Sequence, residues 1–478
     1  MGKMYFKSMK KFLFVFVMFV CFIWAGTGLA QDSLVTYEVP QKLFYSMHND
    51  DFTVQVRTPG GRWKDAYEYN VQVDMDRVQD ASMVYFDFSG TVEVKIRKNN
   101  GLVNTVDIRP LSYKIAPEVK GNIIQFTLDK PRNISIEVNG DRLHNLHLFA
   151  RAIEKSRPEP DDPDVVYFGP GLHEAPDKPG DVFQVKSGQT VYIHGGAVLK
   201  GKLLCNNVKN VRIVGRGIIL EPERGVEIRF SENVEIDGIH VVNPKHYTVY
   251  GGQSRGLKIK NLASFSCRGW SDGIDLMSCS DVEIDGVFMR NSDDCIAIYA
   301  HRWDFYGDAR NYKITNSTLW ADIAHPTNIG AHGNTENEGD TIENITFSNI
   351  DILEHDEDDP CCLGAMAIVA ADNNLVRNVT YEDIRVEDIQ EGRLFDLRVL
   401  NNPKYNTRPG RSIENIYFKN ITYKGSGVHP SQIEGYNKDR AVNGVTFENV
   451  RINGKKVTSP EESDIIIGDF VKHVKFKK

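Results

Sequence analysis

Asp272, Asp293 and Asp294 are the residues of this chain whose type and spacing suggest chemistry. They lie in Trp270-Ser-Asp-Gly-Ile-Asp275 and Ser292-Asp-Asp-Cys295, with Asp272 and Asp293 21 residues apart. Carboxylates gathered in one place repel, so that one pKa rises while another group stays ionised. A protonated acid beside an ionised base is what hydrolysis of a glycosidic bond needs. The plainer alternative is that Asp272 and Asp275 cap a turn and Asp293-Asp294 sits at a corner. The choice depends on whether the surrounding chain repeats with a rung of that length, because residues one rung apart lie side by side.

It does repeat. A turn residue followed by an apolar-x-apolar triplet recurs at Asn210, Asn233, Gly256, Asp281, Asn311, Asn344, Asn378, Asn415 and Gly444, with spacings of 23, 23, 25, 30, 33, 34, 37 and 29 residues. Short β-branched runs with Asn, Gly or Asp at the corners predict a parallel β-helix, in which no rung buries a core alone and stacking buries a continuous one. Corner asparagines tolerate left-handed backbone angles and can bond to the next rung. The spacings grow beyond Asp294. The surplus residues must leave the solenoid as loops, with Ala300–Arg310 and Glu354–Leu363 the candidates nearest the acids.

The elements before the solenoid differ. Thr53-Val-Gln-Val-Arg57, Thr91-Val-Glu-Val-Lys-Ile-Arg97 and Asn133-Ile-Ser-Ile-Glu-Val138 alternate with period two between Gly, Asn and Asp, which predicts an antiparallel β-sandwich. Leu143–Glu154 fits a short helix or a strand, and its His144 and His147 read as structural. Arg157-Pro-Glu-Pro-Asp-Asp-Pro-Asp164 reads as a solvated linker. The chain is therefore expected to be all-β: a leader over 1–30, an antiparallel sandwich over 31–156, a linker over 157–164 and a right-handed parallel β-helix over 165–478.

Lys3, Lys7, Lys10 and Lys11 precede an apolar run from Phe12 to Ala25, and Gly28-Leu29-Ala30 offers small residues for cleavage. This is the pattern of a secretory signal peptide, short for a membrane span and without a cysteine after the cut. Cleavage after Ala30 removes four lysines and no acid, taking the formal charge from −8 to −12. So acidic an exported protein is a poor partner for nucleic acid or anionic membrane. No cysteine pair has zinc-finger spacing. Cys267, Cys279 and Cys295 read as small buried residues, whereas the adjacent Cys361 and Cys362 could pair elsewhere.

Residues 231–335 resemble glycoside hydrolase families 28 (polygalacturonases) and 49 (dextranases), which share a right-handed parallel β-helix; the resemblance extends more loosely to the sandwich. The family 28 motif Asn-Thr-Asp-Gly-Ile-Asp is similar to Trp270-Ser-Asp-Gly-Ile-Asp275. Gly-Asp-Asp-Cys is similar to Ser292-Asp-Asp-Cys295, and Gly-His-Gly-Ile-Ser-Ile-Gly-Ser to Ala324-His-Pro-Thr-Asn-Ile-Gly-Ala331. The resemblance implies Asp293 as general acid, Asp272 and Asp294 as the pair that holds and deprotonates water, and His325 as the support of the acid. Inversion at the anomeric carbon is expected, because a water must fit between acid and base. The family 28 Arg-Ile-Lys strand that grips a substrate carboxylate is missing. The matching rung reads Ala365-Met-Ala-Ile-Val-Ala-Ala-Asp372, which favours a neutral glycan over galacturonan unless Arg302 or Arg398 substitutes.

Trp270, Tyr299, Trp303 and Tyr306 cluster around the acids and could stack on sugar rings, with His332 and Tyr247 as further candidates for the cleft. The expected activity is that of an exported inverting glycoside hydrolase on an α-linked polysaccharide or its oligosaccharides. The mechanism requires no metal, and His355-Asp-Glu-Asp-Asp359 reads as a solvated acidic loop. The rivals are a pectin hydrolase of polygalacturonase type, a polysaccharide lyase and a non-catalytic carbohydrate-binding solenoid. A lyase would need a cationic base beside the acids, which the motifs lack.

Overall fold

All nine corner residues carry left-handed backbone angles, with φ between 55° and 84°. A computed structural model of the chain describes residues 1, 32–176, 180–425 and 429–477; residues 2–30 of the expected leader fall outside this set. The corners stack into a ladder. Asn233 Nδ2 donates to Asn210 Oδ1 (3.1 Å), Asn311 to Asp281 (2.9 Å), Asn344 to Asn311 (3.2 Å), Asn378 to Asn344 (3.2 Å) and Asn415 to Asn378 (3.3 Å). A second ladder joins Asn316 to Asp285, Asn349 to Asn316 and Asn449 to Asn420, each at 2.7–2.8 Å. The first ladder breaks at Gly256, where a Cβ would come within 2.6 Å of Asn233 Oδ1.

These corners join the strands of a right-handed parallel β-helix with three faces. The first face starts at Val165–Phe168 and includes Glu232–Asp237, Arg255–Lys260 and Ser280–Asp285; the second includes Ile218–Leu220, His240–Val242 and Ala263–Phe265. The two are continuous through 21 described strands. The third face has eleven described strands, among them Val249–Gly252, Ile274–Met277, Ile296–Tyr299, Thr327–Gly330 and Gly364–Ala370. Inside, Phe347, Tyr381, Phe418, Phe447 and Phe476 stack from rung to rung with ring centroids 4.8, 5.4, 5.2 and 5.1 Å apart. Each offset contact adds about 0.5–1.5 kcal/mol beyond the area it buries.

The N-terminal part, up to Ala152, is a pair of sheets facing each other across a core that includes Val92, Val94, Ile96, Ile134 and Ile136. These are the inward positions that the alternation predicts. One sheet is antiparallel throughout. The other contains a parallel pair, Gln79–Ser89 with Asp141–Ala152, so residues 143–152 are strand rather than helix. Residues 157–164 carry no strand and lead directly into the first rung.

The chain from Asp32 onward is one compact unit, because the sandwich packs on the second face through buried charges as well as apolar side chains. Arg290 is fully buried. It pairs with Asp322 (2.9 Å), donates to Asn145 Oδ1 (2.9 Å) and His147 Nε2 (3.0 Å), and lies 4.0 Å over the Trp320 ring. Arg109 answers it from the sandwich, reaching Glu137, Glu354 and Glu387 at 2.7 Å each. His147 is thus buried and structural, while exposed His144 bonds Asp141 (3.0 Å). No described helix is long and apolar enough to cross a membrane.

Candidate active site

Asp272, Asp294 and His325 each stand two residues ahead of a third-face strand, on three successive rungs. The register Ile274–Ile296–Thr327 aligns them. Gly273 N donates to Asp294 O (2.8 Å) and Cys295 N to His325 O (2.8 Å), tying the three turns together. The rung partner of Asp272 is therefore Asp294, with Asp293 one place ahead of it. Trp270 has φ 65°, and its N–H donates to Asp293 Oδ2 (2.7 Å). One oxygen from each of Asp272, Asp293 and Asp294 lies within 4.8 Å of the others.

The environments separate the three chemically. Asp293 is partly buried, and burial together with the Asp294 charge pushes its pKa up to about 6. Asp294 is also buried, but the His325 charge and hydrogen bonds from His325 Nδ1 (2.6 Å) and Asn328 Nδ2 (2.8 Å) hold it below the usual carboxylate range. Tyr299 adds a donor at 3.2 Å. Asp272 is raised well above its ordinary value by burial and by Asp275, Asp293 and Asp294. Asp275 is fully buried beside Asp272, and its pKa is likewise raised, chiefly by burial. For His325, burial alone would lower the pKa; Cys362 and Asp294 outweigh it and hold the imidazole protonated. His325 thus supports Asp294, not the general-acid candidate Asp293. Its Nε2 lies 3.0 Å from Cys362 O and 3.8 Å from Glu357.

These groups open on a cavity of about 420 Å³ whose walls come from both loops expected to leave the solenoid. Arg302 enters from one, Glu357, Asp358, Asp359, Cys361 and Cys362 from the other. Tyr247, Trp270, Tyr299 and Arg302 line it as the sequence suggests. Arg302 lies 4.4 Å from the Trp303 ring and 3.9 Å from Asp275. Trp303 is exposed and continues an aromatic shelf with Tyr247 and Tyr250, at 6.2 and 5.6 Å.

Four expected residues do not line the cavity: Trp303, which lies on the shelf beside it, and Tyr306, His332 and Arg398. Tyr306 is exposed and stacks on His301 (4.1 Å). His332 packs edge-on behind Tyr299 (5.0 Å), with its pKa lowered to about 3 by burial and Arg302. Arg398 is held by both oxygens of Asp396 (2.6 and 2.8 Å) and by Pro360 O, so it does not replace the missing cations.

Sequence reasoning missed Asp275, Asn328, Met75 and the Asn402–Asn406 stretch. Asp275 and Asn328 share one third-face column through Ala297, a relation that register alone would have revealed. Met75 reaches the cavity from the sandwich, fixed by Met75 N donating to Ser292 Oγ (3.0 Å). Nothing local marks it.

Residues 175–465 match the model described as Glycosyl hydrolases family 28. Among relatives, an exopolygalacturonase from Arabidopsis thaliana, clone GBGE184, is 25% identical over 205 residues, 42% of this chain and 44% of the relative. A probable exopolygalacturonase B from Neosartorya fischeri is 23% identical over 253 residues, 50% of this chain and 51% of the relative. The chain thus spans about half the length of the relatives it matches. Dex49A from Penicillium minioluteum shares the fold with a TM-score of 0.63 and 14% identity, covering 90% of this chain and 95% of that one.

Proposed function

The chain belongs to glycosyl hydrolase family 28, and from that premise we propose that it is an exported, inverting hydrolase of α-linked glycans that uses Asp293 as general acid and Asp294 as general base. The observation that carries the assignment is the contrast between neighbours: Asp293 has a raised pKa and opens on the cavity, while Asp294 is kept ionised by His325. Asp293 gives its proton to the glycosidic oxygen as the bond to the anomeric carbon breaks. Asp294 takes a proton from the attacking water. Asp272, whose pKa is raised by burial and its acidic neighbours and which lines the same cavity, orients that water.

Carboxyl separation does not carry the stereochemistry, since the nearest oxygens are closer than the ~6.5–9.5 Å usual for inverting pairs. Inversion rests instead on the lack of a free anionic nucleophile. Asp294 has both oxygens engaged, and burial raises the pKa of Asp272 and Asp293, which favours their protonated forms.

A neutral glycan is favoured because the cavity offers a substrate carboxylate Arg302 and Lys404 as basic groups besides His325, which is engaged with Asp294, and Lys404 already faces Asp359 (3.4 Å). Galacturonan is the second candidate. The Arg302 side chain has no resolved hydrogen bond to protein, and the named relatives are polygalacturonases. Export rests on the leader pattern of residues 1–30.

Reducing-sugar release from polygalacturonate, dextran, pullulan and neutral and sulfated galactans, wild type against Asp293→Asn, tests this. Activity on a neutral glycan that the variant loses is expected. Activity on polygalacturonate would overturn the substrate class and keep the acid. Products absorbing in the near ultraviolet would mean a lyase, and a fully active variant would remove Asp293 from the mechanism.

A further inference from the structure

Six cysteines lie among the described residues and none is in a disulfide. Cys205, Cys267, Cys279 and Cys295 are buried in or beside the solenoid core. Cys361 and Cys362 are different: they are adjacent, part-exposed, and both line the catalytic cavity. The Cys362 carbonyl accepts from His325 Nε2 (3.0 Å), and its thiol is electrostatically coupled to the same imidazole. The turn that carries them is held by single bonds: Cys361 N to Asp359 Oδ1 (3.0 Å), Cys362 N to Asp359 O (3.0 Å) and Leu363 N to Asp396 Oδ2 (2.9 Å).

We propose that Cys361 and Cys362 are a modification site: a low-molecular-weight disulfide oxidises them to a vicinal disulfide, and closing that ring withdraws the Cys362 carbonyl from His325 and switches hydrolysis off. The thiolate of Cys361 attacks a sulfur of RSSR and expels RS⁻. The Cys362 thiolate then attacks the Cys361 sulfur and expels the second RS⁻. The two protons released by the cysteines leave with the two RSH, so two thiols are oxidised as one external disulfide is reduced. Adjacent Cα atoms stand about 3.8 Å apart, closer than the ~4.4–6.8 Å of ordinary disulfides. Ring closure must therefore turn the Cys361–Cys362 peptide and the Cys362 N–Cα bond, both of which lie in the ring, and that rotation carries the attached Cys362 carbonyl with it. A strained, accessible disulfide is also easily reduced, so the modification is reversible.

The test treats the full chain with oxidised glutathione and follows it by peptide mapping and by activity. Expected are a peptide containing Cys361 and Cys362 that is lighter by two hydrogens, an at least tenfold fall in activity, and recovery with dithiothreitol. Cys361→Ser should keep its oxidised-to-reduced activity ratio near one. Mapping of wild-type protein needs no variant to fold and no substrate, so it stands apart from the proposed role of His325. Glutathione adducts on both cysteines, a bond to another cysteine, no oxidation, or a ring that leaves activity unchanged would each overturn the proposal.

Discussion

Asp272 and Asp294 occupy equivalent places on neighbouring rungs yet their pKa values are pushed in opposite directions: burial and its acidic neighbours raise Asp272, whereas His325 Nδ1 sits 2.6 Å from Asp294 and holds it low. The difference comes from the rung after, not from the two aspartates, because His325 is the next residue in the same column. A strand register thus places a positive charge beside one carboxylate only.

Asp293→Asn can keep the hydrogen bond from Trp270 N on its amide oxygen, gives up the one from Asp294 N, and has no acidic proton to give. Activity is expected to fall roughly 10²–10⁴-fold, with the thermal unfolding curve unchanged. Reducing-end kinetics beside circular dichroism check this.

The pH profile follows from the two shifts. The acid must be protonated, so the rate falls as pH rises through about 6, where Asp293 titrates. The base must be ionised, and Asp294 is lowered, so the acid limb lies below the ordinary aspartate range. His325→Gln removes the charge that lowers Asp294, and the acid limb should move up. A limb that stays in place in this variant would separate His325 from Asp294.

Asp275 is buried with its pKa raised. A raised carboxyl contributes stability at low pH that is lost as pH climbs through its folded value. Asp275→Asn is therefore expected to raise Tm, on the order of 1–3 °C, by an increment that grows with pH. A drop in Tm at high pH would show that Asp275 is ionised against Arg302.

Arg302 faces the cavity from the Trp303 ring. Arg302→Met should raise KM about tenfold, the worth of a charged hydrogen bond, with a smaller effect on kcat. An equal loss in kcat would mean that it acts through Asp275 on the cluster.

At the sandwich interface, Arg290→Met leaves Asp322 buried and unpaired. A loss of about 3–5 kcal/mol is expected, read as a fall in the denaturation midpoint. Asp322 also accepts from Asp74 N (3.2 Å), next to cavity-lining Met75. Activity should therefore weaken before the fold is lost.

The solenoid was legible because each corner must be a residue that tolerates positive φ, and those residues recur visibly from Asn210 to Gly444. The three aspartates proposed for catalysis were legible from motif and rung length together. Which carboxylate faces which was not: the 21-residue separation points to Asp293, whereas pairing of Ile274 with Ile296 selects Asp294. Arg398 looked available because sequence does not reveal a bidentate partner two residues away. Met75 was invisible because its place depends on the docking of a separate layer.

The asparagine ladders and strand pairing fix the axial pitch of Asp272, Asp294 and His325 by backbone geometry. The cavity walls, by contrast, are lateral excursions from that axis. Chemistry is thus written lengthwise and selectivity crosswise, in nearly independent coordinates. On the proposed reading, loops such as Ala300–Arg310 or Glu354–Leu363 can be exchanged or resized to change the glycan accepted, while the spacing of Asp272, Asp294 and His325 remains that of the strands beneath them.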